Sequence, residues 1–379
     1  MENSEYLTEE ALALLHQLVA IQAYSRAENA RADFLEKYLT DKGCKVRRIG
    51  NNLASEAQAY DPLKPTVLLN SHIDTVPASE GWSFPPFCLT RSEQTLTDGR
   101  SETRLYGLGC NDAGAPLTCL IQTFLCLKQK ALPYNLILGL SCEEEVTGQG
   151  GIDLLLPQLP PIDFALVGEP TAMRAAIAEK GLMVLDCTAH GTTGHAAHDT
   201  GDNAIYKAMK AIDWFRTTRI DDSQAPTLSG RPSESLLGPV KMTVTLIEAG
   251  TKHNVIPDTC RFTVDIRVND RYDNQTLCHY IQEQLSPMDC TAEARSFRLA
   301  SSGIDADHPA ARRCRELGIG CFGSPTLSDQ ARMNFPSIKM GPGDSKRSHT
   351  ADEYIRPSEL RQGVEGYLAF LDGLVLHKN

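Results

Sequence analysis

The sequence predicts an α/β fold in which a mixed-sheet domain carries a smaller α+β domain of ferredoxin-like order inserted within it. Three observations predict this. The 379 residues are enough for two domains, each with its own core. Apolar runs such as Val67-Leu68-Leu69, NLILGLS and FALVG read as strands buried on both faces, and stretches of helical period separate them. From about Lys180 the pattern changes to strand, helix, strand, strand, helix, strand, a complete small domain. The expected boundaries are 1–179 for the first part of the larger domain, 180–298 for the insert and 299–379 for the remainder.

The segment LTEEALALLHQLVAIQAYS opens on Thr8-Glu9-Glu10, a helix-start pattern, and continues with apolar residues at helical spacing. His16 lies inside this helix and is given no role. A second helix, ADFLEKYLTDKG, stops at Gly43, and the short strand CKVRRIG follows. The next strand ends in LLNSHIDTVP and delivers His72 and Asp74 together, because residues two apart on an extended segment point the same way. His72 can then ligate a metal while Asp74 accepts from its other ring nitrogen and fixes the tautomer. Taken alone, the pair also fits a strand-end histidine and a turn-capping aspartate.

The stretch from Gly81 to Tyr106 is polar and turn-rich and reads as irregular. Asp112 precedes the apolar helix PLTCLIQTFLCL, either as its N-cap or as a ligand at the carboxyl edge of a sheet. The strand NLILGLSC runs into Glu143-Glu144-Glu145 and then a glycine-rich loop. Consecutive carboxylates there repel one another and lose solvation, an arrangement that a metal site explains. The strand FALVGEP ends on Glu169. Several strands therefore finish in acid or histidine, which core packing alone does not produce.

In the insert, the strand LMVLDCTAH leads to the helix AIYKAMKAIDWFRTTR, the strands VKMTVTLIEAG and CRFTVDIRV, the helix NQTLCHYIQEQL and the strand CTAEARSF. The turn HGTTGHAAHDTG carries His190, His195 and His198 with no carboxylate before Asp199, so it reads as a substrate-side or oxyanion element rather than a metal site. After the insert come the helix HPAARRCRELG, the loop FGSPTLSDQARM and the strand PSIKMGP. GPGDSKRSHTADEYI then places His349 on a glycine-rich loop before a final helix. Ser324, Thr326 and Ser328 are turn residues that could also meet substrate.

Hydrophobic residues make up 41% and charged residues 22%, as in a globular protein. The formal net charge of -11 lacks the basic footprint that nucleic acid or anionic lipid requires. No apolar run reaches bilayer length, and MENSEYLTEE is acidic without an apolar h-region. Twelve cysteines without CxxC pairs fit a reducing compartment. The expectation is a cytoplasmic protein with no nucleic-acid or membrane partner.

His72-x-Asp74, Asp112 after YGLG, the Glu144-Glu145 pair, GEPT around Glu169, HGTTGHAAH and the late GPGD…HTADEY together resemble the M20 family of di-zinc amidohydrolases. The wording of GEPT and GPGD…H…DEY is most similar to its acetylornithine deacetylase branch. The resemblance covers essentially the whole chain and implies a zinc-hydrolase catalytic domain with a dimerisation or lid domain inserted. It implies that His72 and Glu169 hold one zinc, Glu145 and His349 the other, and Asp112 bridges them. Asp74 would support His72 and Glu144 would be the general base. His195 would serve the oxyanion from the partner subunit of a homodimer, and Arg267 and Asn254 would meet the substrate. Nitrogen and oxygen ligands without cysteine suit Zn2+, with Co2+ or Mn2+ as substitutes. The implied reaction releases the Nα-acyl group of an N-acyl amino acid, N-acetyl-L-ornithine first. N-succinyl-L-ornithine, N-succinyl-diaminopimelate and dipeptides are alternatives that share every metal residue. Ala113-Gly114 and Cys142-Glu143 depart from the common family pattern without touching a proposed ligand. A binding protein that had lost its chemistry would lack the base or a ligand, and all six positions are present.

Overall fold

The chain divides into two units, one formed by Met1–Ile177, Ile304–Phe322 and Ser328–Asn379, the other by Ala178–Gly303 and Gly323–Leu327. The structure, a computed structural model, describes residues 2–95, 99, 101–198, 200–220 and 235–378. Asp199 lies outside them.

The first unit starts with α1 (Glu2–Ala20) and α2 (Asn29–Asp41). α1 begins ahead of Thr8, whose hydroxyl donates to the Ser4 carbonyl at 2.7 Å. The Thr-Glu-Glu pattern therefore marks a turn inside the helix rather than its start, because a threonine can bond back to the preceding turn as well as cap. Next come β1 (Val46–Ile49), β2 (Asn52–Glu56), β3 (Thr66–His72), β4 (Thr90–Thr95) and β5 (Ser101–Tyr106). β4 and β5 form an antiparallel hairpin from Thr90 opposite Tyr106 to Thr95 opposite Ser101, where irregular chain was expected. Apart from the buried Leu105 and Tyr106 its residues are polar because one face meets water, and cross-strand bonds such as Thr103 Oγ1 to Glu93 Oε1 (2.6 Å) take the place of apolar pairs.

The unit continues through α3 (Ala115–Leu127), β6 (Asn135–Ser141), α4 (Ile152–Leu155), β7 (Phe164–Val167) and β8 (Ala175–Glu179). α3 is buried on nearly all sides, as a helix apolar all round must be, and packs with α1 on the main core. The sheet runs β1-β2-β6-β3-β7 and on through a later strand to β8. β3 is buried along its whole length between the parallel strands β6 and β7.

The second unit holds β9 (Gly181–His190), β10 (Gly194–His195), α5 (Ala204–Thr217), β11 (Lys241–Ala249), β12 (Val255–Ile256), β13 (Thr259–Val268), α6 (Asn274–Leu285), β14 (Cys290–Ala294) and β15 (Ser302–Gly303). Its antiparallel sheet has the order β11-β13-β9-β14, so the long strands and two helices follow the expected ferredoxin-like sequence. β9 and β13 alternate buried and accessible residues, and the buried set packs with α5 and α6 in a separate core. Asp273 caps α6 through the amides of Gln275 and Thr276, both at 2.9 Å. The remaining elements are α7 (Pro309–Glu316), β16 (Cys321–Ser324), β17 (Ser337–Lys339), β18 (Tyr354–Ile355) and α8 (Pro357–Asp372). β17 joins the first unit's sheet parallel to β7. FGSPTLSDQARM, expected to be loop throughout, contains the end of β16 and a short 3-10 turn over Asp329–Arg332.

Candidate metal centre

The parallel strands β6, β3, β7 and β17 end on one edge of the sheet, with His72 opposite Ser141, Asn70 opposite Val167 and Lys339 opposite Val167. The residues just beyond those ends gather there, which is where open α/β sheets place their sites. His72 Nε2 stands 3.3 Å from Asp112 Oδ1 and 4.0 Å from Glu169 Oε1. His349 Nε2 stands 2.8 Å from Glu145 Oε2 and 3.7 Å from Asp112 Oδ2. Two groups of potential ligands result, His72/Asp112/Glu169 and Asp112/Glu145/His349, and within each the donor atoms lie within 4.8 Å of one another. Asp112 belongs to both and turns a different oxygen toward each histidine. It is not the N-cap of α3, which begins at Ala115 with Gly114 in the cap position.

Backbone bonds hold these side chains in place. Asp74, 1% exposed, lies 3.4 Å from His72 Nδ1 and accepts from Ser25 Oγ at 2.7 Å. Its two oxygens also receive the amides of Glu144 and Glu145, each at 3.2 Å, so one carboxylate ties the end of β3 to the turn after β6. Glu143 takes a left-handed conformation (φ 54°) and folds back on the glycine loop, where Gly150 N–H donates to it at 3.3 Å. A Cβ at Gly148 would come within 1.8 Å of the Glu143 carboxylate, so glycine is required there. The first acid of the trio thus anchors the turn, and Glu144 and Glu145 are left for the site. Arg31, 5% exposed, donates to the carbonyls of Ile73 (2.8 Å), Leu18 (2.8 Å) and Ile21 (2.6 Å) behind the end of β3. Glu353 accepts three amides of the Asp112 loop at 2.8–2.9 Å while burial pushes its pKa up to about 8. Asp329 accepts from Ser141 Oγ under the sheet edge, and burial raises it to about 6. Arg31, Ser25, Asp329 and Glu353 had no role in the sequence reading. Their partners are mostly main-chain atoms or residues distant in sequence, so only the closeness of Glu353 to His349 offered a signal.

The electrostatics of the cluster test whether cations fit it. Loss of water contact raises Glu144 well above the ordinary carboxylate range, with Glu169, Asp329 and Glu145 adding repulsion against the opposing His72. Glu169 is raised in the same way, first by burial. Burial disfavours a charged His72, yet its bonds to Asp112 and Asp74 outweigh that and raise its pKa. The bond to Glu145 raises His349 to about 9. Four crowded carboxylates share two imidazoles, a surplus of negative charge that divalent cations would neutralise. The donors are imidazole nitrogen and carboxylate oxygen alone, so the residues present fit Zn2+, Co2+ or Mn2+.

His195, Asn254 and Arg267 belong to the second unit. His195 lies on β10 opposite Val255, and the Asn254 carbonyl accepts the amide of Ala196 at 3.0 Å, so these two share one short ribbon. Both are exposed. The rings of His195 and His198 are 5.3 Å apart, whereas His190 bonds Thr291 Oγ1 at 3.0 Å. Arg267 lies toward the far end of β13 from the ribbon and pairs with Asp265 at 2.9 Å. Ser324 and Thr326 bond each other at 3.1 Å, and Ser328 caps its own turn by accepting Gln330 N–H at 3.3 Å.

Residues 177–289 match the peptidase dimerisation domain of the M20 family. The chain is 25% identical over 412 residues to a probable succinyl-diaminopimelate desuccinylase of Staphylococcus aureus, covering 96% of this chain and 95% of that one. It is 25% identical over 413 residues to a probable carboxypeptidase of Paracoccidioides brasiliensis, covering 98% and 87%. Among solved structures it is similar to a tripeptidase from Staphylococcus aureus (TM-score 0.71, 19% identity, 96% and 97% covered). It is also similar to a dinuclear metal binding peptidase of the M20 family from Bacillus subtilis (TM-score 0.69, 15% identity, 97% and 98% covered). The chain has the M20 peptidase fold, a mixed-sheet domain with the dimerisation domain inserted.

Proposed function

We propose that the protein is a metal-dependent amidohydrolase that removes the Nα-acyl group of an N-acyl amino acid. The observation that carries the reading is Asp112, shared between the His72/Glu169 and Glu145/His349 groups with Glu144 beside them and outside both. His72, Glu169, Glu145, His349 and Asp112 would hold two divalent cations, zinc first. When bound, the pair supplies Lewis-acid stabilisation to the scissile carbonyl and to the attacking water. Glu144 takes the proton from that water as its oxygen bonds to the carbonyl carbon, then delivers the proton to the leaving nitrogen as the C–N bond breaks. Asp74 keeps His72 oriented through Nδ1. His195 donates to the oxyanion from the partner subunit of a homodimer formed through the second unit, and Asn254 and Arg267 hold the substrate.

N-acetyl-L-ornithine is the first substrate in this reading, supported by the GEPT and GPGD…H…DEY motifs, with N-succinyl-L-ornithine beside it. That reading puts the enzyme in arginine biosynthesis in the cytoplasm, in line with twelve cysteines that form no disulfide among the described residues. No helix among the described residues is long and apolar enough to cross a membrane. The name of the Staphylococcus aureus relative favours N-succinyl-diaminopimelate as a second reading. The experiment is amine release by zinc-loaded protein from these amides and a set of dipeptides, with and without chelator. Chelator-sensitive turnover of one acyl amino acid is expected. Silence across the panel with metal bound would remove the reading.

A further inference from the structure

We propose that Glu353 is a positioning residue for the metal centre, holding Asp112 and His349 in register and so governing the cation that those two residues share with Glu145. The proposal rests on the metal-centre reading above. Glu353 is 2% exposed and is not a member of either ligand group. Its Oε1 accepts the amides of Asn111 (2.9 Å) and Asp112 (2.8 Å), and its Oε2 accepts that of Gly109 (2.9 Å). Its own carbonyl accepts the amide of Gly107 at 3.1 Å. One residue therefore gathers the loop that ends in Asp112. Immediately afterwards Tyr354 and Ile355 pair with Tyr106 and Leu105, so the two segments are also joined as strands.

A second clasp joins the same two loops on the other side of His349. Asn111 Oδ1 accepts the Asp344 amide at 2.9 Å, and Asn111 Nδ2 donates to the Asp344 carbonyl at 3.2 Å. His349 lies between Asp344 and Glu353, and both clasps close on residues at or next to Asp112. Between them, Arg347 grips Glu359 with two bonds of 2.9 and 3.0 Å. The other group shares Asp112 but takes its remaining ligands from adjacent parallel strands, His72 ending β3 and Glu169 following β7, so it relies less on these clasps. Metal sites tolerate only about 0.2 Å of error in ligand distance, so a slackened Asp112 loop should cost affinity at the His349 side first. Three N–H groups converge on the two carboxyl oxygens, and a carboxamide would turn an NH2 against at least one of them.

Equilibrium dialysis and titration calorimetry with Zn2+ and Co2+, together with the visible spectrum of the Co2+ form, test the assignment. Wild type should take up two cations per chain. Glu353→Gln should weaken one by about 10- to 100-fold, the usual cost of losing a partner behind a ligand, and the other, which keeps His72 and Glu169 at their strand ends, by clearly less. The spectral increment from the second Co2+ should diminish in parallel, while far-UV circular dichroism stays unchanged. Glu353→Asp keeps a carboxylate of shorter reach and should lose an intermediate amount, so it decides the question if the glutamine variant does not fold. Two cations bound as tightly as in wild type, or both weakened equally, would overturn the proposal. A wild-type protein that takes up no second cation would instead overturn the metal-centre reading on which it rests.

Discussion

Glu144→Gln isolates the proton-transfer step. The substitution preserves size, and the Glu144 amide keeps its 3.2 Å bond to Asp74 Oδ1. Glu145 remains 2.8 Å from His349, and the Asp112 contacts to both histidines are untouched. Metal content and substrate affinity should therefore change little, and the loss should fall on kcat. General base catalysis contributes about 10²- to 10⁴-fold, which at about 1.4 kcal/mol per decade is about 3 to 5 kcal/mol of barrier. The upper end is expected, because the other carboxylates around Glu144 are committed to ligand groups or, like Asp329, to a protein hydroxyl. Steady-state kinetics on zinc-loaded variant, with metal content measured on the same sample, checks this. A variant with two cations that turns over within about tenfold of wild type would refute the assignment of Glu144 as the base.

Three further outcomes follow from the same structure. Chelation should lower the melting temperature, since a cation at about a thousand times its Kd stabilises the folded state by about 4 kcal/mol, and an unchanged melting curve would argue against a resident metal. Leu246 and Ile247, 62% and 56% exposed on the edge strand β11, are expected in the dimer interface, so Leu246→Asp with Ile247→Asp should yield a monomer by light scattering; an unchanged mass would place the interface elsewhere. Asp273→Ala removes the α6 cap and should cost about 1 kcal/mol in urea unfolding. Burial raises the Asp273 pKa, but the Thr276 hydroxyl and the capped amides lower it more, so the net shift is downward. The cap's contribution is therefore full above the unfolded value of about 3.9 and is lost as pH falls through the folded pKa, so the gap between wild type and variant should close in acid. A gap that persists undiminished at low pH would refute the cap's role.

The architecture was legible in the sequence wherever burial wrote a period. β3, β6 and β7 carry apolar runs because both faces of the sheet are covered there, and each delivers its acid or histidine at its end or in the turn that follows. β9 and β13 show the alternation of a half-buried antiparallel sheet. The β4–β5 hairpin was missed because its residues are polar apart from Leu105 and Tyr106, and the alternation along β4 is one of exposure rather than chemistry. The start of α1 was misplaced because threonine satisfies itself on the turn before it as readily as on the turn after. Asp112 stayed ambiguous between cap and ligand until three-dimensional contacts placed it between His72 and His349. Glu353 stood in the HTADEY stretch beside His349, but its role could not be read, since its partners are backbone amides more than two hundred residues away.

That difference between legible and hidden residues has a physical basis that bears on specificity. The groups proposed to touch metal stand at strand ends or in loops just beyond them. The groups that fix them bind mostly main-chain atoms: Arg31 the carbonyls of Leu18, Ile21 and Ile73, Asp74 the amides of Glu144 and Glu145, and Glu353 those of Gly109, Asn111 and Asp112. Burial lowers Arg31 only to about 10, with Asp74 opposing, so it stays cationic at neutral pH and favours an ionised Asp74 beside His72. Main-chain atoms are present whatever side chains the surrounding loops carry. A centre braced in this way can persist while the side chains of the loops around it change, so a shared fold does not fix the substrate. In the proposed reaction, substrate choice would then lie in side chains outside the braced set rather than at the strand ends.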